Sequence, residues 1–322
     1  MQRRSFTSHM LCLGSVALAA PALAQAQSYP TKPIQIIVPF PAGGGTDVFA
    51  RLLGQAMTEA MGQSVVVVNR AGAQGNIGLA AVANAPADGY TIGLAEVGST
   101  TMNPWMYQNA GFDPVKDFAP LGIGVVYPNA VVVGPTVPAK NLQELVALAK
   151  TRKLSFASGS AASQLAGELL KMVAGIDLLH VPYKGAAPAA VDLAAGQVDL
   201  TCITAASAVP LVRTGKTRAI AVTGPARIAA LPDALTARES GYPGFELLGW
   251  YGLVAPARTP KDVVAKLNAE IRKALSRPDL REKLEVAGLE PKPGTAEEMA
   301  TLVQSEFERW GKIVKSVGIK PE

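Results

Sequence analysis

A glycine-rich loop, residues 41–45, is the first feature of this sequence whose residue types suggest chemistry. It follows an apolar run and opens a segment of helical periodicity near Thr46. Backbone N–H groups at the start of a helix bind anions, and glycines let a ligand approach the chain closely. Asp47 stands too near this anion site to bind an acid itself, so we expect its carboxylate to accept backbone N–H bonds and hold the loop. A tight turn without a ligand is the alternative.

A second polar loop, residues 158–163, occupies the matching place later in the chain, again between an apolar run and a helical segment. Its serine hydroxyls and the amides of the helix start could hold the other end of an acid, and ordinary helix capping is the alternative. Two such loops on facing lobes would together form a clam-shell site for an anion.

Other motifs argue against catalysis and nucleotide binding. Gly72, Gly75 and Gly78 approach a dinucleotide fingerprint, but their spacing is GxxGxxG in place of GxGxxG. The sequence contains no GxSxG, HExxH or GxxxxGK[ST] motif. The histidine of the mature chain, His180, stands in a strand-like run, where a structural role is more common than a catalytic one.

The first 26 residues have the composition of an export signal. Arg3 and Arg4 precede an apolar stretch too short to span a bilayer, and Ala24 and Ala26 fit the small residues of a cleavage site. We expect cleavage after Ala26, Sec export and a periplasmic location. The twin-arginine route is an alternative, because the flanking residues fit its pattern only in part. A retained N-terminal helix is the other interpretation.

The composition is that of a globular chain without a nucleic-acid face. Of 322 residues, 49% are hydrophobic and 17% are charged, and the net charge of +5 becomes +3 once Arg3 and Arg4 leave with the signal. The Lys and Arg residues are scattered, so no nucleic-acid partner is expected. Cys12 leaves with the signal too, and Cys202 is expected to be a buried, inert thiol. The length suits two domains of about 100–200 residues each.

Apolar runs and amphipathic segments alternate along the mature chain. The apolar runs at 34–39, 65–68 and 91–95 are separated by helical patterns, which predicts β–α–β–α–β and a parallel sheet. The pattern repeats between residues 130 and 222, and the last third is helical. Helix starts are predicted at Asn141 with Glu144, at Thr259–Pro260 and at Thr295 with Glu298.

Two α/β units in series, followed by further helices, predict two lobes. The terminal helices would pack back on the first lobe, so the chain would cross between lobes twice, at 122–127 and at 248–252. The expected division places 27–124 and 251–322 in lobe 1, and 125–250 in lobe 2.

Along its mature length the sequence resembles the Bug family of periplasmic solute-binding proteins, the TctC-like receptors of tripartite tricarboxylate transporters. The segments that carry the resemblance include PFPAGGGTDVFARLL, VVVVNRAGAQGNIG, ADGYTIGL, HVPYKGAAPAAVDLAAGQVD and GWYGLVAPARTP. The resemblance implies an α/β, two-lobed Venus-flytrap fold, type II-like with two crossovers. It implies a receptor that closes on a small di-, mono- or aromatic acid and delivers it to the membrane components of a tripartite tricarboxylate-type transporter. We expect a monomer that performs no chemistry and binds no cofactor or metal.

In that family, the loop after the first strand and a serine-bearing loop of the second lobe hold the ligand, partly through water. Carried onto this sequence, the ligand-binding residues are Phe40, Ala42, Gly43, Gly44, Asp47, Ser158, Ser160 and Ser163. The resemblance adds Gly72, Gly75, Ser99 and Thr100 along the cleft, and Tyr183 and Gly185 near its second-lobe side.

Departures from the family pattern bear on the ligand. The serine loop, SGSAASQL, is shorter than the family's, and Glu96 stands where a small polar residue is usual. A carboxylate beside an anion site disfavours a highly charged acid, so a monoacid, a zwitterion or an aromatic acid fits better than citrate. A Glu96 that points away and is paired is the alternative. An exported, cofactor-dependent α/β oxidoreductase is the competing function, and the missing nucleophile motifs oppose it.

Overall fold

The computed structural model describes residues 29–316 and 321, and the predicted signal at 1–26 lies outside them. Within the described residues, strands and helices alternate through most of the chain. The strands are β1 Ile34–Val38, β2 Val65–Asn69, β3 Thr91–Glu96, β4 Phe118–Val133, β5 Leu154–Ser158, β6 Leu178–Pro182, β7 Leu200–Thr204, β8 Arg218–Val222, β9 Leu235–Thr236, β10 Leu248–Pro256 and β11 Glu290–Pro291. The α-helices are α1 Gly45–Met61, α2 Asn76–Ala83, α3 Asn103–Met106, α4 Leu142–Ala149, α5 Ala161–Ala174, α6 Ala186–Ala194, α7 Ala205–Arg213, α8 Lys261–Leu275, α9 Pro278–Val286 and α10 Ala296–Ser316. A 3₁₀ turn covers Ala73–Gly75 and a π-helical turn covers Gly98–Met102.

Strand β4 belongs to two sheets and joins the two halves of the molecule. The first sheet has the order β2-β1-β3-β10-β4, and in the second β4 is followed by β7-β5-β6, with β8 also beside β4. Strand β4 pairs with β10 from Phe118 to Pro128 and with β7 and β8 from Asn129 to Val133. The chain therefore leaves the first sheet after Pro128, just past the predicted 122–127, and returns with Leu248 at the start of β10. The lobe boundaries given above stay a prediction.

Helix α1 forms because its apolar residues share one face, and glycines bound it at both ends. It follows Gly44, which has an extended backbone, and it stops at Gly62, whose φ of 67° favours glycine. Phe49, Leu53 and Met57 are fully buried in a core shared with α8 and α9. The buried stripe fixes the helix against the first sheet, which places its N-terminus at the carboxyl end of β1.

The predicted helix caps are confirmed at α4 and displaced by one residue at α8. The Glu144 N–H donates to the Asn141 side chain at 2.8 Å, as predicted. The prediction of a Thr259 cap was wrong, because its hydroxyl donates to the Pro256 carbonyl at 2.7 Å. The N-cap position of α8 falls on Pro260, which has no side-chain acceptor.

Candidate functional site

A cleft between the two sheets is lined by the carboxyl ends of strands and the starts of helices. It contains about 510 Å³ of space free of atoms, open solvent at its mouth included. The first half contributes Phe40, Pro41, Gly44, Gly45, Thr46 and Glu96. The second half and the connecting strands contribute Tyr127, Asn129, Gly159, Ser160, Ala162, Ser163, Ala186, Ile203, Thr204, Ser207 and Tyr251. The predicted ligand-binding residues among these are Phe40, Gly44, Ser160 and Ser163.

Asp47 holds the glycine loop in place and does not line the cleft. One carboxylate oxygen accepts the Gly43 N–H at 3.0 Å and the Arg51 Nε–H at 2.9 Å, and the other accepts the Asn69 amide at 3.0 Å. Burial would raise the pKa of Asp47, but the hydrogen bonds from Arg51, Gly43 and Asn69 outweigh it and lower the pKa. Its loop-holding role is confirmed. Ala42 and Gly43 are exposed and lie outside the cleft lining.

The serine loop caps α5 and also lines the cleft. The Ser163 N–H donates to Ser160 Oγ at 3.2 Å, while Ser163 Oγ accepts the N–H groups of Gly159 at 2.9 Å and Ser160 at 3.1 Å. Ser158 is outside the cleft lining: its Oγ is 2.6 Å from His180 Nε2, and the residue is 1% exposed. The bond joins β5 to β6 and lies outside the cleft lining, which fits a structural role.

Tyr183 and Gly185 do not line the cleft, but Gly185 marks where the halves meet. The Tyr183 hydroxyl donates to Asp192 Oδ2 at 2.7 Å, and burial together with Asp192 raises the pKa of Tyr183 to about 12. The backbone of Gly185 has φ 152°, and an added Cβ would lie 2.8 Å from Pro41 Cδ of the other half. The loops after β1 and β6 therefore touch.

The glycine loop after β2 and the π-helical turn pack behind the residues that line the cleft. A Cβ on Gly75 would lie 2.8 Å from Ser99 Cβ and 3.2 Å from the Phe40 ring. Ser99 and Thr100 are buried and do not line the cleft, and neither does Gly72. Of these predicted cleft residues, Gly75 lies against Phe40, which does line the cleft, and Ser99 lies against Gly75.

The two halves are closed on each other around the start of α1. The Gly45 N–H donates to Ser207 Oγ at 3.1 Å, across the cleft. Ser207 belongs to the first turn of α7, where Thr204 caps the helix by accepting the Ser207 N–H at 3.2 Å. A Cβ on Gly98 would lie 2.7 Å from Ala162 N, so α5 begins against the turn that follows Glu96. The starts of α1, α5 and α7 all line the cleft.

The receptor family of the tripartite tricarboxylate transporters has a sequence model that matches residues 49–319. The chain belongs to this family. It is 40% identical over 292 residues to a protein encoded in the tcbD–tcbE intergenic region of Pseudomonas sp. strain P51, covering 89% of this chain and 87% of that one. The solved periplasmic binding protein BugD superposes with a TM-score of 0.87 at 38% identity, covering 91% of this chain and all of BugD. Rpa4515 of R. palustris, solved with adipate, gives 0.88 at 36% identity, covering 91% of this chain and all of that one. The fold is therefore the two-lobed fold of periplasmic binding proteins.

Several cleft residues of this TctC-family receptor were not found from the sequence. Thr204 and Ser207 stand at the start of α7, which was not predicted, and Tyr127, Asn129 and Tyr251 stand on the strands that connect the lobes. The Thr204–Ser207 spacing after an apolar run is the same capping signal that identified the serine loop. The residues on the connecting strands carry no comparable local signal.

Glu96 lines the cleft of the receptor with a buried carboxylate. The Gly98 N–H donates to one of its oxygens at 2.9 Å and the Ser99 N–H to the other at 2.8 Å. Burial raises the pKa of Glu96, and the two N–H donors together with the Ser99 hydroxyl oppose that effect only in part. The sequence left two alternatives, a Glu96 beside the anion site and a Glu96 that points away and is paired. In the structure Glu96 lines the cleft and also accepts hydrogen bonds from its own turn.

The rest of the receptor offers little further chemistry in the part that the structure describes. Residues 29–316 and 321 contain no group of three or more His, Cys, Asp or Glu side chains that could hold a metal ion. No helix in this described part has the length and apolar character needed to cross a bilayer. Cys202 is buried, as predicted, and its burial raises the pKa of the thiol to about 12. The family consists of receptors, which are not enzymes.

Proposed function

We propose that this receptor captures a small organic acid between its lobes in the periplasm and delivers it to the membrane components of a tripartite transporter. The observation that carries the proposal is the convergence of α1, α5 and α7, whose N-termini open on one cleft. Each N-terminus presents backbone N–H groups and the positive end of a helix dipole. Such a cradle binds a carboxylate without a cationic side chain.

Lobe closure is the proposed working step. The contacts from Gly45 to Ser207 and from Pro41 to Gly185 join the halves. A ligand that touches both lobes contributes all its contacts only when they are shut, so it shifts the open–closed equilibrium toward the closed form. The closed form then presents one shape to the transporter. The similar protein Rpa4515 was solved with adipate, an organic acid, which supports this ligand class.

The remaining parts of the proposal concern the whole chain. We propose lobes of 27–124 with 251–322 and of 125–250, a monomeric receptor, and Sec export with removal of residues 1–26. The arginine pair, short apolar stretch and small residues within 1–26 support export. The change of pairing partners of β4 on either side of Pro128 supports two lobes. Intact mass of protein recovered from the periplasm tests the cleavage, and a retained Met1 in that fraction would contradict it.

Thermal-shift screening against small carboxylates, followed by calorimetry and small-angle scattering, tests the receptor function. A ligand at a hundred times its Kd adds about 2.7 kcal/mol to the free energy of unfolding, which gives a clear rise in Tm. We expect a binding acid to be recovered unchanged and to populate the compact form. The proposal fails if no carboxylate binds, or if the pure protein converts the acid that it binds.

A further inference from the structure

We propose that the cleft selects an acid that also carries an ammonium group, with Glu96 as the counter-ion of that group. The inference rests on the proposed receptor function and names the ligand class within it. The carboxylate of the ligand would lie at the helix N-termini, and its ammonium group would lie at the carboxylate of Glu96. Glu96 is thereby a residue that determines ligand specificity.

The charges of the cleft are the first ground for this inference. Of the described residues that line it, none is Lys or Arg, and Glu96 is the one acidic residue. The residue is 3% exposed, so water does little to stabilise its charge. A buried carboxylate without a cationic partner is unfavourable, and a ligand ammonium group would supply the missing charge.

The hydrogen bonds of Glu96 leave room for a ligand donor. A carboxylate offers about four acceptor positions. The Gly98 and Ser99 N–H groups occupy one position on each oxygen, and with the Ser99 hydroxyl counted as a third donor, one position remains for a ligand. The two N–H bonds fix the orientation of the carboxylate within the cleft. An ammonium group carries three donors and no acceptor, so it suits an oriented acceptor of this kind.

Aromatic rings beside Glu96 are the second ground. Tyr251 on β10 is directly opposite Glu96 on β3 in the sheet register, so both side chains leave the sheet on one face. The rings of Tyr127 and Tyr251 have centroids 4.4 Å apart, and the Phe40 ring lines the same cleft. Aromatic rings around a cation are a recurrent way to bind ammonium groups, and these three rings line the same cleft as Glu96. A second ligand carboxylate would meet the like charge of Glu96 there.

Length-matched ligands test this charge selection by calorimetry on the mature receptor. The dicarboxylates are succinate, glutarate and adipate, and the monoacids are butyrate, valerate and caproate. The amino acids of the same lengths are the ω-amino acids γ-aminobutyrate, δ-aminovalerate and ε-aminocaproate, and the α-amino acids α-aminobutyrate, norvaline and norleucine. We expect at least one amino acid to bind more tightly than the dicarboxylate and the monoacid of its length.

The variant Glu96→Gln removes the charge and keeps the shape of the side chain. It should weaken binding of that amino acid by about tenfold or more, the range for a hydrogen bond to a charged group. It should leave the length-matched monoacid within a few-fold and strengthen the dicarboxylate. Glu297→Gln, at an exposed residue in the first turn of α10, makes the same charge change away from the cleft and should alter none of these affinities.

The other possible results separate the ligand class from the receptor function. If an acid binds but no amino acid binds wild type more tightly than both the dicarboxylate and the monoacid of its length, charge selection by Glu96 is wrong and the receptor function stands. Equal binding of the amino acid by wild type and Glu96→Gln leads to the same conclusion. If no acid of any class binds, the proposed function itself fails. The ranking of acids by wild type decides the inference even if Glu96→Gln does not fold.

Discussion

The substitution Gly45→Ala should weaken ligand binding by obstructing closure of the lobes. Gly45 is the first residue of α1, and a Cβ built on it would lie 2.8 Å from Thr204 Oγ1, 2.8 Å from Tyr251 Oη and 3.2 Å from Ala206 Cβ. Thr204 and Ala206 belong to the opposite lobe, so the added methyl group blocks the interface directly. The backbone of Gly45 lies outside the positive-φ region, and alanine fits it without strain.

The size of the effect follows from the three close contacts. Carbon atoms do not approach oxygen atoms to 2.8 Å without displacement, so Thr204 and Tyr251 must shift by several tenths of an ångström. Overpacking of this kind typically destabilises a packed state by about 1–3 kcal/mol. The contact with Tyr251 lies within the lobe of Gly45 and is present in both forms, whereas the contacts with Thr204 and Ala206 exist only when the lobes are closed. Because that second part of the penalty falls on the closed form alone, ligand affinity should fall by about fivefold to a hundredfold.

Calorimetry and small-angle scattering on wild type, Gly45→Ala and a control together measure the effect. The control is Gly54→Ala, in the middle of α1, where the new methyl group would meet Val65 within its own lobe at an ordinary 3.5 Å. We expect Gly45→Ala to weaken binding of the tightest acid from the thermal-shift screen and to enlarge the radius of gyration of the ligand-saturated protein. The control should change neither. A folded Gly45→Ala protein with wild-type affinity and radius would refute the closure geometry.

Three further outcomes follow from the same contacts. Ser207→Ala removes the acceptor of the Gly45 N–H and should reduce ligand affinity about two- to tenfold by calorimetry, with no loss if the lobes close without that bond. Asp47→Ala should lower the free energy of unfolding in urea by about 2–3 kcal/mol at neutral pH. Because the pKa of Asp47 is lowered in the fold, the deficit should shrink as pH falls below its ordinary value of 3.8, and a constant deficit would contradict this. Because the pKa of Glu96 is raised in the fold, the folded protein binds the proton of this carboxyl more tightly than the unfolded chain does. The free energy of unfolding of wild type should therefore fall as pH rises above 4.5, and that of Glu96→Gln should fall less. Equal pH dependence of the two proteins in urea unfolding would refute this.

The strand–helix order could be predicted from the sequence because its signals are local. Apolar runs marked β1, β2 and β3, and capping pairs such as Thr295 with Glu298 marked helix starts, as the Glu298 N–H donating to Thr295 Oγ1 at 3.1 Å confirms. A capping bond joins residues three positions apart, so its pattern is readable along the chain. The same local signals placed the glycine and serine loops at the carboxyl ends of strands.

Long-range strand pairing determined the extent of β4, which local sequence patterns did not predict. The sequence predicted a strand only at 130–133, whereas β4 runs from Phe118 to Val133. Pro120 and Gly122 interrupt its local strand pattern, but pairing with β10, which has two register shifts, accommodates them. Helix α7 was missed because Pro210 lies inside it.

The sequence by itself determined which loops form the site, since these follow from strand ends and helix starts. Only the tertiary structure decided which side chains of those loops face the ligand. Tyr183 is bonded to Asp192, and Ser158 to His180, whereas Glu96 and Ser207 line the cleft. The physical reason is that a polar side chain in a packed interior must satisfy its hydrogen bonds with whichever partner lies nearest in space. That partner belongs to another element of the fold, and its position is set by the packing of sheets and lobes.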